Sequence, residues 1–114
     1  MSVERQGGEE PADLAVVTEF YKALERGDGQ AASQKIIPHK QAKGPFSAQA
    51  LTSYYGSLDE PLRLVSVESL GSLAVRARYQ YRKGSSRCNG EAVVSLSQTE
   101  EGLKVEKIRA LSGC

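Results

Sequence analysis

The side chains with chemical reach in this 114-residue sequence are five tyrosines, one histidine, two cysteines and a run of arginines in the second half. The tyrosines, Tyr21, Tyr54, Tyr55, Tyr79 and Tyr81, offer phenol hydroxyls that can orient a ligand or donate a proton opposite a carboxylate base. A base is hard to find. Asp13 opens a helix, Asp28 can cap one, and Asp59 lies in a turn. Glu68, Glu91 and Glu106 fall on a polar strand face or beside a bulge. His39 sits in a polar loop with Lys40 and Lys43, where an imidazole is ordinarily solvated. Two cysteines and one histidine without close spacing make no zinc signature, so neither a metal nor a cofactor is expected.

Strands must position these groups. From Leu73 the chain alternates with period two: Leu73, Val75, Ala77, Tyr79 and Tyr81 share one face, and Ala74, Arg76, Arg78, Gln80 and Arg82 the other. Gly84-Ser85 suits a two-residue type II′ turn. Closing there sets Lys83 against Ser86, Tyr81 against Cys88, Tyr79 against Gly90, Ala77 against Ala92, Val75 against Val94 and Leu73 against Leu96, with Arg78 facing Glu91 outside. A slip of one residue would turn an apolar set into water, so the register is strongly specified. A turn at Thr99–Gly102 places Leu96 opposite Val105. The apolar parity then changes, and a β-bulge near Glu106-Lys107 repairs it. Beyond it Val94 faces Ile108, Ala92 faces Ala110, Gly90 faces Ser112 and Cys88 faces Cys114, within reach of a disulfide.

Length, 39% hydrophobic and 25% charged residues fit one ordinary globular domain. Residues 1–10 read as a disordered arm and residues 11–114 as the domain. The first half is acidic and the second basic, yet net charge is only +1, which does not favour nucleic acid. No apolar run approaches the ~20 residues of a membrane span. No leader peptide is read, whereas a disulfide implies an oxidising compartment. A leader lost ahead of Met1 would reconcile the two. A periplasmic or secreted location is therefore expected, with a cytoplasmic protein bearing two thiols as the alternative.

Apolar spacing predicts helices over Pro11–Arg26, Gln30–Ile37 and Ala48–Ser57, the last capped by Ser47 with Phe46 and Leu51 as a hydrophobic staple. A strand over Leu62–Ser69 precedes the meander. Turning Val65 and Val67 inward, with Leu62 and Leu64 outward, leaves Ser66 and Glu68 beside Arg76 and Arg78. The expected class is α+β: three N-terminal helices on a curved four-stranded antiparallel sheet with one cross-strand disulfide.

That order, the helix phrase Phe20-Tyr21-Lys22-Ala23-Leu24-Glu25-Arg26-Gly27-Asp28 and the bulged last strand resemble the nuclear transport factor 2-like superfamily, which includes ketosteroid isomerase and polyketide cyclases. The resemblance covers roughly residues 11–114. The family's strand between the second and third helices is here reduced to His39–Gly44 or lost. The resemblance implies a pocket between helices and concave sheet, with Phe20, Tyr21, Leu24, Tyr54, Tyr79, Tyr81 and Val94 as its walls, unless the cone is filled by its own side chains. It also implies a partner face on the outer sheet, at Arg76, Arg78, Arg82 and Arg109, for a homodimer or an acidic protein. Without a carboxylate in the pocket, the expected function is noncatalytic: binding of a small apolar ligand or of a protein. The alternative is a small isomerase- or cyclase-like enzyme using the pocket tyrosines.

Overall fold

The central hairpin sets the frame. In a computed structural model, which describes residues 11–112, β2 (Ala74–Lys83) and β3 (Ser86–Thr99) pair without interruption from Ala74–Ser95 to Lys83–Ser86. The pairs Tyr81–Cys88, Tyr79–Gly90, Arg78–Glu91, Ala77–Ala92 and Val75–Val94 are those the turn at Gly84-Ser85 dictates. Gly84 has φ +64° and Ser85 is not left-handed, which is the type II′ pattern. β1 (Glu60–Gly71) and β4 (Gly102–Ser112) complete an antiparallel sheet in the order β1-β2-β3-β4. Both outer ladders are irregular. Glu106 is the extra residue between the pairs Leu96–Val105 and Ser95–Lys107, so β4 bends where its apolar parity changes.

The helices cover the concave face. α1 (Ala12–Glu25) buries Val17, Phe20, Tyr21, Ala23 and Leu24, one stripe of a 3.6-residue period. Gly27, at φ +68°, ends it, and the Asp28 carboxylate caps α2 (Gly29–Ser33) by accepting the Ala31 N–H at 3.0 Å. α3 (Ala48–Tyr55) starts at Ser47, whose hydroxyl accepts the Ala50 N–H at 3.2 Å. Val75, Ala77, Val94 and Val105 from the sheet meet Val17, Phe20 and Leu24 from α1 in one core. No helix among the described residues is long and apolar enough to cross a membrane.

The expected class needs correction in its helices and its disulfide. α2 is a single short helix of 5 residues rather than a segment running to Ile37. The cause is a long-range competitor: the Lys35 carbonyl accepts the Val105 N–H at 2.7 Å and the Ile37 N–H donates to the Val105 carbonyl at 2.9 Å. Backbone groups committed to the sheet cannot also close a helical turn. This bridge at Ile36, not His39–Gly44, is what remains of a strand between the helices, and Pro38–Lys40 follows as a 3-10 turn.

The expected bridge between Cys88 and Cys114 requires an unbroken ladder beyond Ala110. Leu111 is instead a second extra residue on β4: Ala110 faces Ala92, and Ser112 faces Glu91 rather than Gly90. The ladder is thus one residue out of the expected register at its last described pair. Cys114, like the expected arm over residues 1–10, lies outside the described residues, and no disulfide joins two cysteines within them. Cys88 is a buried core residue.

β1 also departs from its expected parity. Leu62 is buried and Leu64 packs on the core, while Val65 is 55% exposed. A bulge between Leu64 and Ser66 absorbs Val65 and restores Val67 to the core side, with Ser66 facing Arg78 and Glu68 facing Arg76. The freed Leu64 N–H is taken by the Glu25 carboxylate at 2.7 Å. Leu73 is not a strand residue. It and Ser72 form the β1–β2 turn with φ of 59° and 50°, and the Leu73 side chain is largely out in water. A left-handed leucine costs about 1–2 kcal/mol. Leu73→Gly should therefore stabilise the fold by about 0.5–1 kcal/mol after the extra unfolded-state entropy of glycine, read as a higher urea midpoint. A lowered midpoint would show that this turn carries no strain.

Candidate functional site

α1, α3 and the concave sheet do not close completely. Between them lies a cavity of about 340 Å³ lined by Phe20, Tyr21, Pro45, Phe46, Ala50, Leu51, Tyr54, Tyr55, Tyr79 and Ile108. Each wall has a local cause. Adjacent Phe20 and Tyr21 both fall on the buried stripe of α1. Leu51, Tyr54 and Tyr55 lie three and four positions apart and so share one face of α3. The buried Ser33 hydroxyl donates to the Phe46 carbonyl at 2.8 Å, which pins the loop carrying Pro45 and Phe46 over the opening. Ile108 faces inward because of the Glu106 bulge.

Tyr79 depends on an absent side chain. A Cβ on Gly90 would stand 2.3 Å from Tyr79 Cε1, so the ring lies flat across the glycine backbone. From there the rings form a continuous cluster. Tyr21 stacks on Tyr79 at 5.5 Å between centroids and Tyr79 on Tyr81 at 6.3 Å, while Tyr54 meets Tyr55 edge-on at 4.9 Å. The Tyr54 and Tyr81 hydroxyls are hydrogen-bonded at 3.2 Å. Lys83 places its Nζ over the Tyr54 ring, 4.5 Å from the centroid.

Four of the five tyrosines thus line one cavity, and Tyr81 packs against three of them. Burial, and then the neighbouring phenols Tyr79 and Tyr54, push Tyr55 up to about 12. Burial likewise raises Tyr21, Tyr79 and Tyr81, the last also through its bond to Tyr54. At neutral pH these groups are uncharged hydroxyls. They can donate to a ligand oxygen or accept from a ligand, but they cannot serve as bases or nucleophiles.

Of the residues expected in the pocket, Phe20, Tyr21, Tyr54 and Tyr79 are in its wall. Leu24 and Val94 are sealed in the adjoining core, and Tyr81 lies behind the wall, stacked on Tyr79 and hydrogen-bonded to the Tyr54 hydroxyl. Pro45, Phe46, Ala50, Leu51, Tyr55 and Ile108 were not named for it. The Phe46–Leu51 staple and the inward parity of Ile108 were the available signals. Among the described residues no carboxylate or imidazole lines the cavity. His39 is exposed on the 3-10 turn, and no metal-binding cluster occurs among the described residues.

The outer face of the sheet is more neutral than its arginines suggest. Arg76 lies 3.0 Å from Glu91 and 3.6 Å from Glu68, and Arg78 reaches Glu91 at 4.0 Å. Arg82 and Arg87 share Glu60, whose carboxyl is held below its ordinary range first by the hydrogen bond from Arg82. Arg109 has no carboxylate partner among the described residues. The charge that was to meet a second copy or an acidic protein is thus largely answered within the chain.

The geometry is that of an α+β cone with a pocket under its helices, and the chain has the fold of the nuclear transport factor 2-like proteins. Three solved structures are similar to it. An NTF-2 like protein of unknown function from Shewanella oneidensis aligns at TM-score 0.57 and 13% identity over 86% of this chain and 95% of that one. A protein of unknown function with a cystatin-like fold from Methylobium petroleophilum aligns at 0.66 and 13% over 88% and 74%. An NTF2-like protein of unknown function from Cytophaga hutchinsonii aligns at 0.58 and 12% over 92% and 95%. No family model matches the sequence, and no curated protein matches it.

Two outcomes follow from the tyrosine geometry. Gly90→Ala forces the Tyr79 ring aside and should cost about 1–3 kcal/mol. In a Tyr79→Ala background most of that cost should vanish, and equal costs in the two backgrounds would remove the contact. The alkaline limb follows from linkage. A folded phenol with a raised pKa keeps its proton where the unfolded chain, with tyrosine near ~10, has lost it. Stability from these groups is therefore complete below pH ~10 and declines as pH rises toward the folded values, about 12 for Tyr55. Phenolate absorbance should lag in the folded protein and appear together with unfolding. Ionisation of Tyr21, Tyr55, Tyr79 and Tyr81 near pH ~10 in the folded state would contradict their burial.

Proposed function

We propose that this protein is a noncatalytic binding domain that holds a small, flat, largely apolar molecule in the tyrosine-lined cavity. One observation carries the reading. Tyr21, Tyr55 and Tyr79 line an apolar cavity of about 340 Å³, and their hydroxyls have no hydrogen-bond partner among the described residues. A preformed apolar space with a few unspent donors in its wall is the usual make-up of a ligand site. Two wall rings, Tyr21 and Tyr79, are nearly parallel, which favours a flat occupant.

An isomerase- or cyclase-like reaction has less support. Phenols can donate a proton, but proton abstraction needs a base within hydrogen-bond reach, and nothing in the wall supplies one. The fold shared with the similar structures does not choose between these uses.

The test uses 2-naphthol, a neutral bicyclic phenol, titrated by calorimetry against the full chain. Its size and polarity predict a dissociation constant between about 1 µM and 1 mM. Ala50→Trp, which fills the cavity from α3, should abolish binding. Failure of the native chain to bind, or binding unchanged in Ala50→Trp with its fold intact by circular dichroism, would refute the reading.

A further inference from the structure

We propose that the ligand carries one anionic head of carboxylate type, and that Lys83 receives that head at the mouth of the tyrosine cavity; this rests on the ligand-binding reading above. Lys83 is the last residue of β2 and pairs with Ser86 where the hairpin closes. Its parity is that of Tyr79 and Tyr81, so it emerges on the concave side of the sheet, unlike Arg76, Arg78 and Arg82. Its ammonium stands 4.5 Å from the centroid of Tyr54, a wall residue that is itself 39% exposed and so marks the opening.

Its charge is not answered as the charges of most outer-face arginines are. Arg76, Arg78, Arg82 and Arg87 all have glutamate partners on the outer face. Lys83 has no carboxylate partner among the described residues. Asp59 comes to the same turn, but its carboxylate takes the Gly84 N–H. The ring of Tyr54 orients the ammonium without neutralising it, since a quadrupole carries no net charge. Beside it the Tyr54 and Tyr81 hydroxyls share a single hydrogen bond. Two hydroxyls bring two protons, and their mutual bond uses one, so the second remains for an outside acceptor. An ammonium and a spare O–H at the rim of an uncharged pocket match one carboxylate on an apolar body. A cationic ligand would meet Lys83 as a like charge.

The experiment compares 2-naphthoate with 2-naphthamide, which have the same shape and differ in charge, by calorimetric titration of the full chain. The native protein should bind naphthoate about tenfold more tightly, a difference of roughly 1.4 kcal/mol. The preference should shrink with added salt. Lys83→Met should erase it while leaving naphthamide binding in place, and Lys83→Arg should retain it. Equal affinities for the two probes in the native protein would overturn the proposal and leave the binding site standing. A preference that survives in Lys83→Met would take the role away from this residue. If neither probe binds, the ligand-binding reading fails and this inference fails with it.

Discussion

Everything in the molecule is referred to the register of the β2–β3 hairpin. Gly84 permits a two-residue turn whose twist matches the strands, and that turn fixes which residues face each other along the whole ladder. Because side chains alternate strictly, the same choice sends Val75, Ala77, Tyr79 and Tyr81 inward and the arginines outward. It also brings Tyr79 over Gly90, the one inward position of β3 without a side chain to obstruct a ring. A slip of one residue would dismantle the core, the tyrosine cluster and the paired outer charges together.

Against this regular centre the outer strands are deliberately irregular. β1 bulges at Val65 and β4 at Glu106 and Leu111. Bulges bend a strand and increase its twist, so the two edges curl around the helices while the middle stays straight. The curl brings Val105 under Ile36 and turns Ile108 toward α3. A short α3 of 8 residues cannot cover the concave face that results. The cavity is a geometric remainder of a bent sheet roofed by a short helix and a loop pinned at Phe46.

This division explains what could be read in the sequence. The central hairpin was legible residue by residue because period-two alternation and a glycine turn are local signals. The Glu106 bulge was legible for a related reason, since apolar parity changes visibly between Val105 and Ile108. The end of α2 was not, because Ser33 to Ile37 continues an apolar spacing that only the distant Val105 interrupts. Val65 misled for the opposite reason: a β-branched residue beside Val67 looks like a core alternation, and the bulge that ejects it is answered by Glu25 on another element. The extra residue at Leu111 leaves no parity change behind it long enough to notice, and the sulfur pairing was argued across it. In the pocket, the strand and α1 walls were legible and the loop was not, since Pro45 and Phe46 are placed by a serine hydroxyl on α2. Leu24 and Val94 share the parity of the wall but sit too deep to reach the space.

The same physics bears on why such a cavity holds a molecule rather than transforms one. Catalytic sites set titratable groups against each other so that their proton affinities diverge, one poised to give and another to take. Here every titratable group in the wall is of one kind, and burial with mutual proximity moves the perturbed ones in one direction, away from ionisation. Like groups pushed alike make a uniform, neutral lining. The only departure from uniformity is Lys83 at the rim, where charge can be recognised without being drawn into a dry interior. An ammonium left at the water boundary escapes the desolvation that would penalise it deeper in, and a ligand anion meeting it there avoids the same cost. Affinity for the body and recognition of the head are thereby assigned to different parts of one small site: stacked phenol rings below, and one cation above.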